Sequence, residues 1–178
     1  MGRCVPFLFF GSYTCIDRDS EEAEVIEIKA PSDFEYAVRP WLFLAGSIEM
    51  GTAEPWQGEI VSALAGFSGT ILNPRRDDWD STWAQSITNP PFYRQVTWEL
   101  DAMERADLIV MYFAPETKAP ITLLEFGLFL GTGKLIVCCP DGFWRKGNVE
   151  IVCHRFEVPI LPNKKRLIAA AQEALNAE

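Results

Sequence analysis

The alternation of short apolar runs with amphipathic stretches limits the fold of this chain more than any other feature. Apolar runs at residues 41–45, 70–73, 108–113 and 134–139 have the length and composition of buried strands. Such strands and helices in alternation form a mostly parallel sheet with helices on both faces, joined by right-handed crossovers. We therefore predict an α/β protein. The stretches with helical periodicity lie at residues 54–65, 93–105, 121–131 and 164–177.

The two ends of the chain extend this alternating core. Residues 5–10 and 23–29 have strand-like composition, and the acidic stretch 17–22 connects them. We predict that residues 1–40 form an N-terminal strand extension packed on a core of residues 41–178, with short edge strands at 148–153 and 156–161. With 178 residues, of which 48% are hydrophobic, the chain fills one core and makes a single domain.

The charge and the cysteine content of the chain limit the kinds of ligand and the cellular compartment that we expect. The chain has 25 Asp and Glu against 16 Lys and Arg, so we expect a small-molecule ligand and no duplex nucleic acid. Its five cysteines lack the spacing of a metal site and predict reduced thiols in a cytoplasmic protein. The apolar run at residues 5–10 is far shorter than the roughly 20 residues of a transmembrane helix. We expect no metal, no cofactor and no membrane association.

Polar loops follow the predicted strands, and the carboxyl ends of parallel strands share one edge where α/β proteins bind ligands. Gly46 and Ser47 follow the first core strand, and Arg75 and Arg76 follow the second. Each guanidinium either holds a substrate anion or pairs internally with the acids at positions 77, 78 and 80. The same long loop carries Trp79, and aromatic residues in such a loop are typical of a lid or of a surface that binds a flat ring.

Glu125 is a single carboxylate within the apolar run 121–130. Burying an unpaired charge is costly, so this residue needs a structural or functional reason. Thr122 lies three residues earlier and matches a capping box, in which the glutamate closes a helix start. Pro120 instead favours a helix that begins earlier and places Glu125 beyond the cap. Both interpretations stay open on pattern alone. Glu99, early in the preceding predicted helix, is a candidate general acid or base.

Four short motifs follow one another along the chain: Phe43-Leu44-Ala45-Gly46-Ser47, Asn73-Pro74-Arg75-Arg76, Ala106-Asp107, and Leu124-Glu125-Phe126-Gly127. In this order they resemble the nucleoside 2-deoxyribosyltransferase-like family, and the resemblance covers about residues 41–153. It implies a flavodoxin-like or Rossmann-like, doubly wound fold in a homo-oligomer. It also implies cleavage of the N-glycosidic bond of a nucleoside or nucleotide, with Glu125 as nucleophile and Glu99 assisting at the base or the nucleophile.

The implied chemistry needs no metal or redox cofactor. Glu125 attacks the anomeric carbon and forms a glycosyl-enzyme ester, which water or a second base resolves. We expect the helix N-terminus to keep Glu125 ionised and Tyr112 or Ser47 to orient it. Asn148 is either a contact to a neighbouring site or an ordinary turn residue before a strand. The candidate substrate-binding residues are Ala45, Gly46, Ser47, Asn73, Arg75, Arg76, Trp79, Tyr112 and Asn148.

Two positions depart from the family pattern. Ala119 stands where members that transfer deoxyribose carry an aspartate for the sugar hydroxyls. Glu49 stands where relatives that hydrolyse nucleoside monophosphates often carry a basic residue. These departures leave open the base, the sugar and the acceptor. One alternative hypothesis is a non-catalytic nucleotide or sugar-nucleotide sensor that uses the same crevice, and another is an interaction protein whose loop at Trp79 and Trp83 packs against a second subunit.

Overall fold

The computed structural model describes residues 25–49 and 53–176 and contains one sheet of six strands in the order β1-β3-β2-β4-β5-β6. Every pairing between these strands is parallel. The prediction of a doubly wound α/β fold is therefore confirmed. The strands are β1 (Ile26–Lys29), β2 (Trp41–Gly46), β3 (Thr70–Asn73), β4 (Leu108–Tyr112), β5 (Leu135–Cys138) and β6 (Ile160–Leu161).

Helices cover both faces of the sheet, because alternate side chains of each buried strand point to opposite sides. In β4, Val110 and Tyr112 pack on one face with Trp56 and Leu167, whereas Met111 packs on the other. The first face is covered by α1 (Trp56–Ala63) and α5 (Lys164–Leu175), and the second by α2 (Pro90–Arg105), α3 (Pro120–Phe129) and α4 (Lys146–Phe156). None of the helices in residues 25–49 and 53–176 is long and apolar enough to cross a bilayer.

The predicted edge strand at residues 148–153 is wrong, because these residues belong to α4. Val149 and Cys153 are four residues apart and are both buried on the sheet side of that helix, while Ile151 is 71% exposed. Over six residues, the apolar positions 149, 151 and 153 mimic the period of a strand. Asn148 accordingly lies exposed in the first turn of α4 and not in a turn before a strand. The second predicted edge strand shortens to β6.

The N-terminal region contributes the edge strand β1, which pairs with β3 from Ile26 opposite Thr70 to Lys29 opposite Asn73. The predicted strand at residues 5–10 and the acidic connection at 17–22 lie outside the described residues. The division of the chain at residue 40 stays a prediction.

Gly46 ends β2 with a φ of +149°, and a Cβ there would lie 2.8 Å from the Trp56 ring and still closer to the Tyr112 carbonyl oxygen. We expect Gly46→Ala to lower the free energy of unfolding by roughly 2–4 kcal/mol, since both the backbone angle and the packing oppose a side chain. Urea denaturation measures the change.

Gly58→Ala is the matched control for this prediction. Gly58 lies exposed in α1, and a Cβ there would meet nothing within 4 Å. The same substitution should therefore stabilise the protein by about 0.5–1 kcal/mol through helix propensity. Equal effects of the two substitutions would contradict the close approach of β2 to β4 at Gly46.

Candidate functional site

The loops after β2 and β4 lie at the carboxyl edge of the sheet, and hydrogen bonds of Ser47 connect them. The Ala114 N–H donates to Ser47 Oγ at 3.1 Å, and Ser47 Oγ also pairs with Thr117 Oγ1 at 2.8 Å. The Ser47 carbonyl oxygen accepts the Trp56 indole N–H at 3.0 Å. The side chain of Ser47 is fully buried, so it fixes the loop after β2 against the loop after β4. Ala45, one residue before Gly46, is also buried and packs on the α2 side.

Glu49 connects the same two loops a little further along the chain. Its Oε1 accepts the Lys118 N–H at 2.9 Å and the Ala119 N–H at 2.6 Å. Ala119 has a left-handed conformation, with a φ of 43°, and is the residue that precedes α3. Glu49 thus holds the entry to α3. From the sequence alone, Glu49 was noticed only as a departure from the family pattern.

The structure decides between the two interpretations of Glu125. Because α3 begins at Pro120, Glu125 is in its second turn, and the described residues at its start make no side-chain cap. The capping-box interpretation is therefore wrong, and the earlier helix start indicated by Pro120 is confirmed. Glu125 is 9% exposed, on a helix whose Phe126 and Phe129 pack into the core. A buried acid without a capping role is a candidate for chemistry.

Glu125 and Glu99 form an electrostatically coupled pair contributed by α3 and α2. Burial raises the pKa of Glu99 to about 7, although the Gln95 side chain donates to Glu99 Oε1 at 2.9 Å and favours its charged form. Burial, followed by the charge of Glu99, raises the pKa of Glu125 to about 8, and no hydrogen bond from a described residue opposes this shift. Near neutral pH the pair therefore holds one proton, more on Glu125 than on Glu99.

The expectation that the helix N-terminus keeps Glu125 ionised is wrong for the free site. The field of a helix end acts within the first turn, whereas Glu125 is in the second, where burial dominates. The expected orienting donors also have other partners. Tyr112 donates to Glu54 Oε1 at 2.8 Å and lies on the α1 side of the sheet, and Ser47 joins the two loops.

Gln95 is a site residue that the sequence analysis missed. Its side-chain N–H₂ donates both to Glu99 and to the Pro74 carbonyl oxygen, each at 2.9 Å. It therefore ties the position of Glu99 to the loop that follows β3. The spacing of Gln95 and Glu99 by four residues on a predicted helix is the signal that indicates this contact.

The loop after β3 is held largely by its own side chains. Asn73 donates to Glu27 Oε1 at 2.7 Å and accepts the Arg75 N–H at 2.9 Å. The Arg75 guanidinium donates to the carbonyl oxygens of Ala53 and Glu54, at 3.1 and 3.2 Å, and so holds the start of α1. Arg75 therefore makes main-chain contacts to the segment that leads into α1.

Arg76 pairs with one of the acids that follow it in the same loop, which is the second of the two predicted arrangements. It forms a salt bridge of 2.7 Å with Asp78, and its guanidinium lies 4.9 Å from the centre of the Trp83 ring. The Trp79 and Trp83 rings pack edge to face with centres 5.2 Å apart. The aromatic residues of this loop therefore contact each other and Arg76.

A cleft of about 720 Å³ lies at the ends of β2 and β4. It reaches the loop that leads into α3, whereas Glu125 is further along that helix. Asn148, on α4, is not among its described lining residues. Those residues are Glu49, Ala53, Glu54, Ala114, Pro115, Glu116, Thr117 and Lys118.

Fold and site together define a doubly wound α/β protein with two coupled acids near the carboxyl edge of its sheet. The family model described as nucleoside 2-deoxyribosyltransferase like matches residues 39–143, which is more than half of the chain. The chain belongs to this family. No curated protein matches it.

The coupled pair makes stability depend on pH. The folded pKa values of Glu99 and Glu125 lie above the ordinary 4.5, so the native state binds protons that the unfolded chain releases. Their contribution is complete below about pH 4.5 and is lost as the pH rises through about 7 and 8. As the pH rises from 5 to 9, the free energy of unfolding of a Glu99→Gln/Glu125→Gln double variant should increase relative to that of the wild type by roughly a few kcal/mol. Urea denaturation across this range measures it, and parallel curves for the two proteins would contradict the raised pKa values.

Proposed function

We propose that the protein cleaves the N-glycosidic bond of a nucleoside or nucleotide, or transfers its sugar, with Glu125 as the nucleophile. The observation that carries the proposal is the coupled pair of buried Glu125 and half-buried Glu99 in a member of this family, since each pKa is raised into the range where catalytic acids and bases work.

The reaction depends on which member of the Glu99 and Glu125 pair holds their shared proton. Attack requires this proton to leave Glu125, and the positive charge that develops on the sugar favours the ionised Glu125. With the proton on Glu99, a Glu125 oxygen bonds the anomeric carbon while the bond from that carbon to the base breaks. The leaving base takes the proton of Glu99. Water or a second base then attacks the anomeric carbon, gives its proton to Glu99, and releases the Glu125 carboxylate.

The contacts of Gln95 support this assignment by fixing the position of Glu99. The Gln95 side chain links Glu99 to the loop after β3. Positioning of this kind is a large part of catalysis, because reacting groups held in place need no reorganisation during the reaction.

Incubation with a panel of nucleosides and nucleotides, with and without a free base, tests the proposal. Chromatography should show base release when water is the acceptor and base exchange when transfer occurs. Absence of both across the panel would contradict it. Ligand-induced thermal stabilisation without turnover would then favour the sensor hypothesis, to which the apolar Ala119 at the start of α3 also points.

Assembly with a second copy of the chain is part of the proposal. On α3, the helix that carries Glu125, the side chains of Ile121, Leu124 and Leu128 are 59%, 61% and 57% exposed. An apolar stripe on a helix surface is typical of an interface. A solution-mass measurement tests for the homo-oligomer. The buried free thiols of Cys138, Cys139 and Cys153 support a reducing compartment such as the cytoplasm.

A further inference from the structure

Gln95 is a buried amide on α2 that donates two hydrogen bonds through its side chain and accepts none from the described residues. Its side-chain nitrogen lies 2.9 Å from the Pro74 carbonyl oxygen and 2.9 Å from Glu99 Oε1. Its own oxygen is buried and has no hydrogen-bond partner in the described part of the chain. An unpaired buried oxygen costs free energy. The two donated hydrogen bonds therefore hold the amide in an orientation that its oxygen would not favour.

The Pro74 carbonyl fixes which end of this amide faces Glu99. A carbonyl oxygen only accepts hydrogen bonds, so the group beside it must be the Gln95 nitrogen. The second hydrogen of that nitrogen points to Glu99 Oε1. A half-turn of the amide would place its oxygen against the Pro74 carbonyl oxygen and remove both hydrogen bonds. Glu99 Oε1 therefore faces a donor that cannot become an acceptor.

The contact with Gln95 makes the two oxygens of Glu99 unequal. In a neutral carboxyl group the carbonyl oxygen is the better acceptor, whereas the hydroxyl oxygen carries the donor hydrogen. Gln95 donates to Oε1, and within residues 25–49 and 53–176 no side-chain donor accompanies it at Oε2. When Glu99 is neutral, Oε1 therefore keeps the acceptor role and Oε2 receives the proton.

The charged groups near Glu99 do not take over this role of Gln95. The acid that interacts with Glu99 from another element is Glu125, on α3, and a carboxyl group there donates no bond to Glu99. In the adjoining loop after β3, Arg75 donates to carbonyl oxygens before α1, and Arg76 pairs with an acid of its own loop at 2.7 Å. Burial raises the pKa of Glu99 to about 7, and the hydrogen bond from Gln95 acts against this rise.

We propose that Gln95 is a positioning residue that assigns the proton of Glu99 to Oε2, so that Oε2 is the oxygen that protonates the leaving base. The reaction rests on the proposed function, whereas the position of the proton is a property of the free protein. When the base leaves, the O–H bond at Oε2 breaks, the proton goes to the base, and the electron pair stays on Glu99. Oε1 keeps its hydrogen bond to Gln95 throughout, so Glu99 need not rotate as its charge changes.

Nuclear magnetic resonance of a Glu125→Gln variant tests this assignment without any turnover, because Glu99 then titrates without its partner acid. The Gln95 side-chain proton that points to Oε1 should keep its hydrogen-bonded chemical shift both above and below the pKa of Glu99. Loss of that hydrogen bond when Glu99 becomes neutral would place the proton on Oε1 and overturn the inference.

Gln95→Met, added to Glu125→Gln, tests the same hydrogen bond by removing the donor. Methionine has a similar length but donates no hydrogen bond, so the pKa of Glu99, followed by its carboxyl ¹³C shift, should rise by about 1. Gln172→Met is the matched control, since the exposed Gln172 amide donates to the Ala63 carbonyl oxygen at 3.1 Å. It should leave the pKa of Glu99 unchanged. Equal pKa values in the two variants would contradict the inference.

Rates of base release separate this inference from the proposed function. With Glu125 intact, Gln95→Met should lower kcat for a nucleoside whose base must be protonated to leave by about tenfold more than kcat for one with a weakly basic leaving group. A structural defect alone would lower both rates alike. An unchanged ratio in an active protein would overturn the role of Oε2 and leave the proposed function intact. The expected resonances in a protein without turnover would support the proton position while the proposed function fails.

Discussion

Replacing Glu125 with glutamine should lower kcat/KM for base release by roughly four orders of magnitude or more, because the amide cannot form the glycosyl ester. Glutamine matches glutamate in size and removes a buried ionisable group, so the variant should fold at least as stably as the wild type above neutral pH. A discontinuous chromatographic assay with substrate well below KM measures the residual kcat/KM.

Two measurements make this result specific to Glu125. Glu173→Gln, the same exchange at an exposed position of α5, should keep the wild-type rate. Wild-type protein quenched in acid during turnover should carry one added sugar on the peptide that contains Glu125, detected by mass spectrometry. Full activity of Glu125→Gln would refute the nucleophile assignment.

Replacing Glu99 with glutamine should reduce kcat by roughly two to four orders of magnitude, the usual contribution of a general acid. It should also change the dependence of kcat/KM on pH. In the wild type, activity needs the singly protonated pair, so the profile should be bell-shaped with apparent pKa values near 7 and 8.

The direction of the change follows from the protonation state of Glu99. Along the acidic limb Glu125 ionises while Glu99 still holds its proton and has no charge to raise the pKa of Glu125, so neutral glutamine should leave this limb near its wild-type position. The alkaline limb, which reports loss of the last proton of the pair, should disappear. A profile that keeps both limbs would show that Glu99 is not the acid of the pair.

The central strands of the fold were predictable because their signals are local. β2, β3, β4 and β5 each appear as short apolar runs between breakers, and the structure places each within a residue of the prediction. The α4 helix was missed because Val149, Ile151, Val152 and Cys153 form a short apolar run of strand-like composition, over a window too short to show the helical period. Four residues of separation between buried Val149 and Cys153 identify the helix only once burial is known.

The two acids of the candidate site could be named from the sequence, but Gln95 and the electrostatics of the pair could not. The apolar run around Glu125 indicated a carboxyl with a special role, and Pro120 indicated the helix start. The mutual approach of Glu99 and Glu125 depends on how α2 and α3 pack on the sheet, which no local pattern contains. The face to which Tyr112 points is set by the same packing, and Tyr112 therefore donates to Glu54.

The hydrogen bond between Asn73 and Glu27 shows that the region matched by the family model depends on a residue outside it. The match begins at residue 39, yet the acceptor for the Asn73 amide comes from β1, upstream of that boundary. A recombinant fragment cut at the matched limits would leave the outer edge of β3 bare and the amide of Asn73 without this acceptor. Such a fragment would expose an unpaired strand edge that invites association, so loss of activity in it would report on a missing support rather than on the catalytic acids.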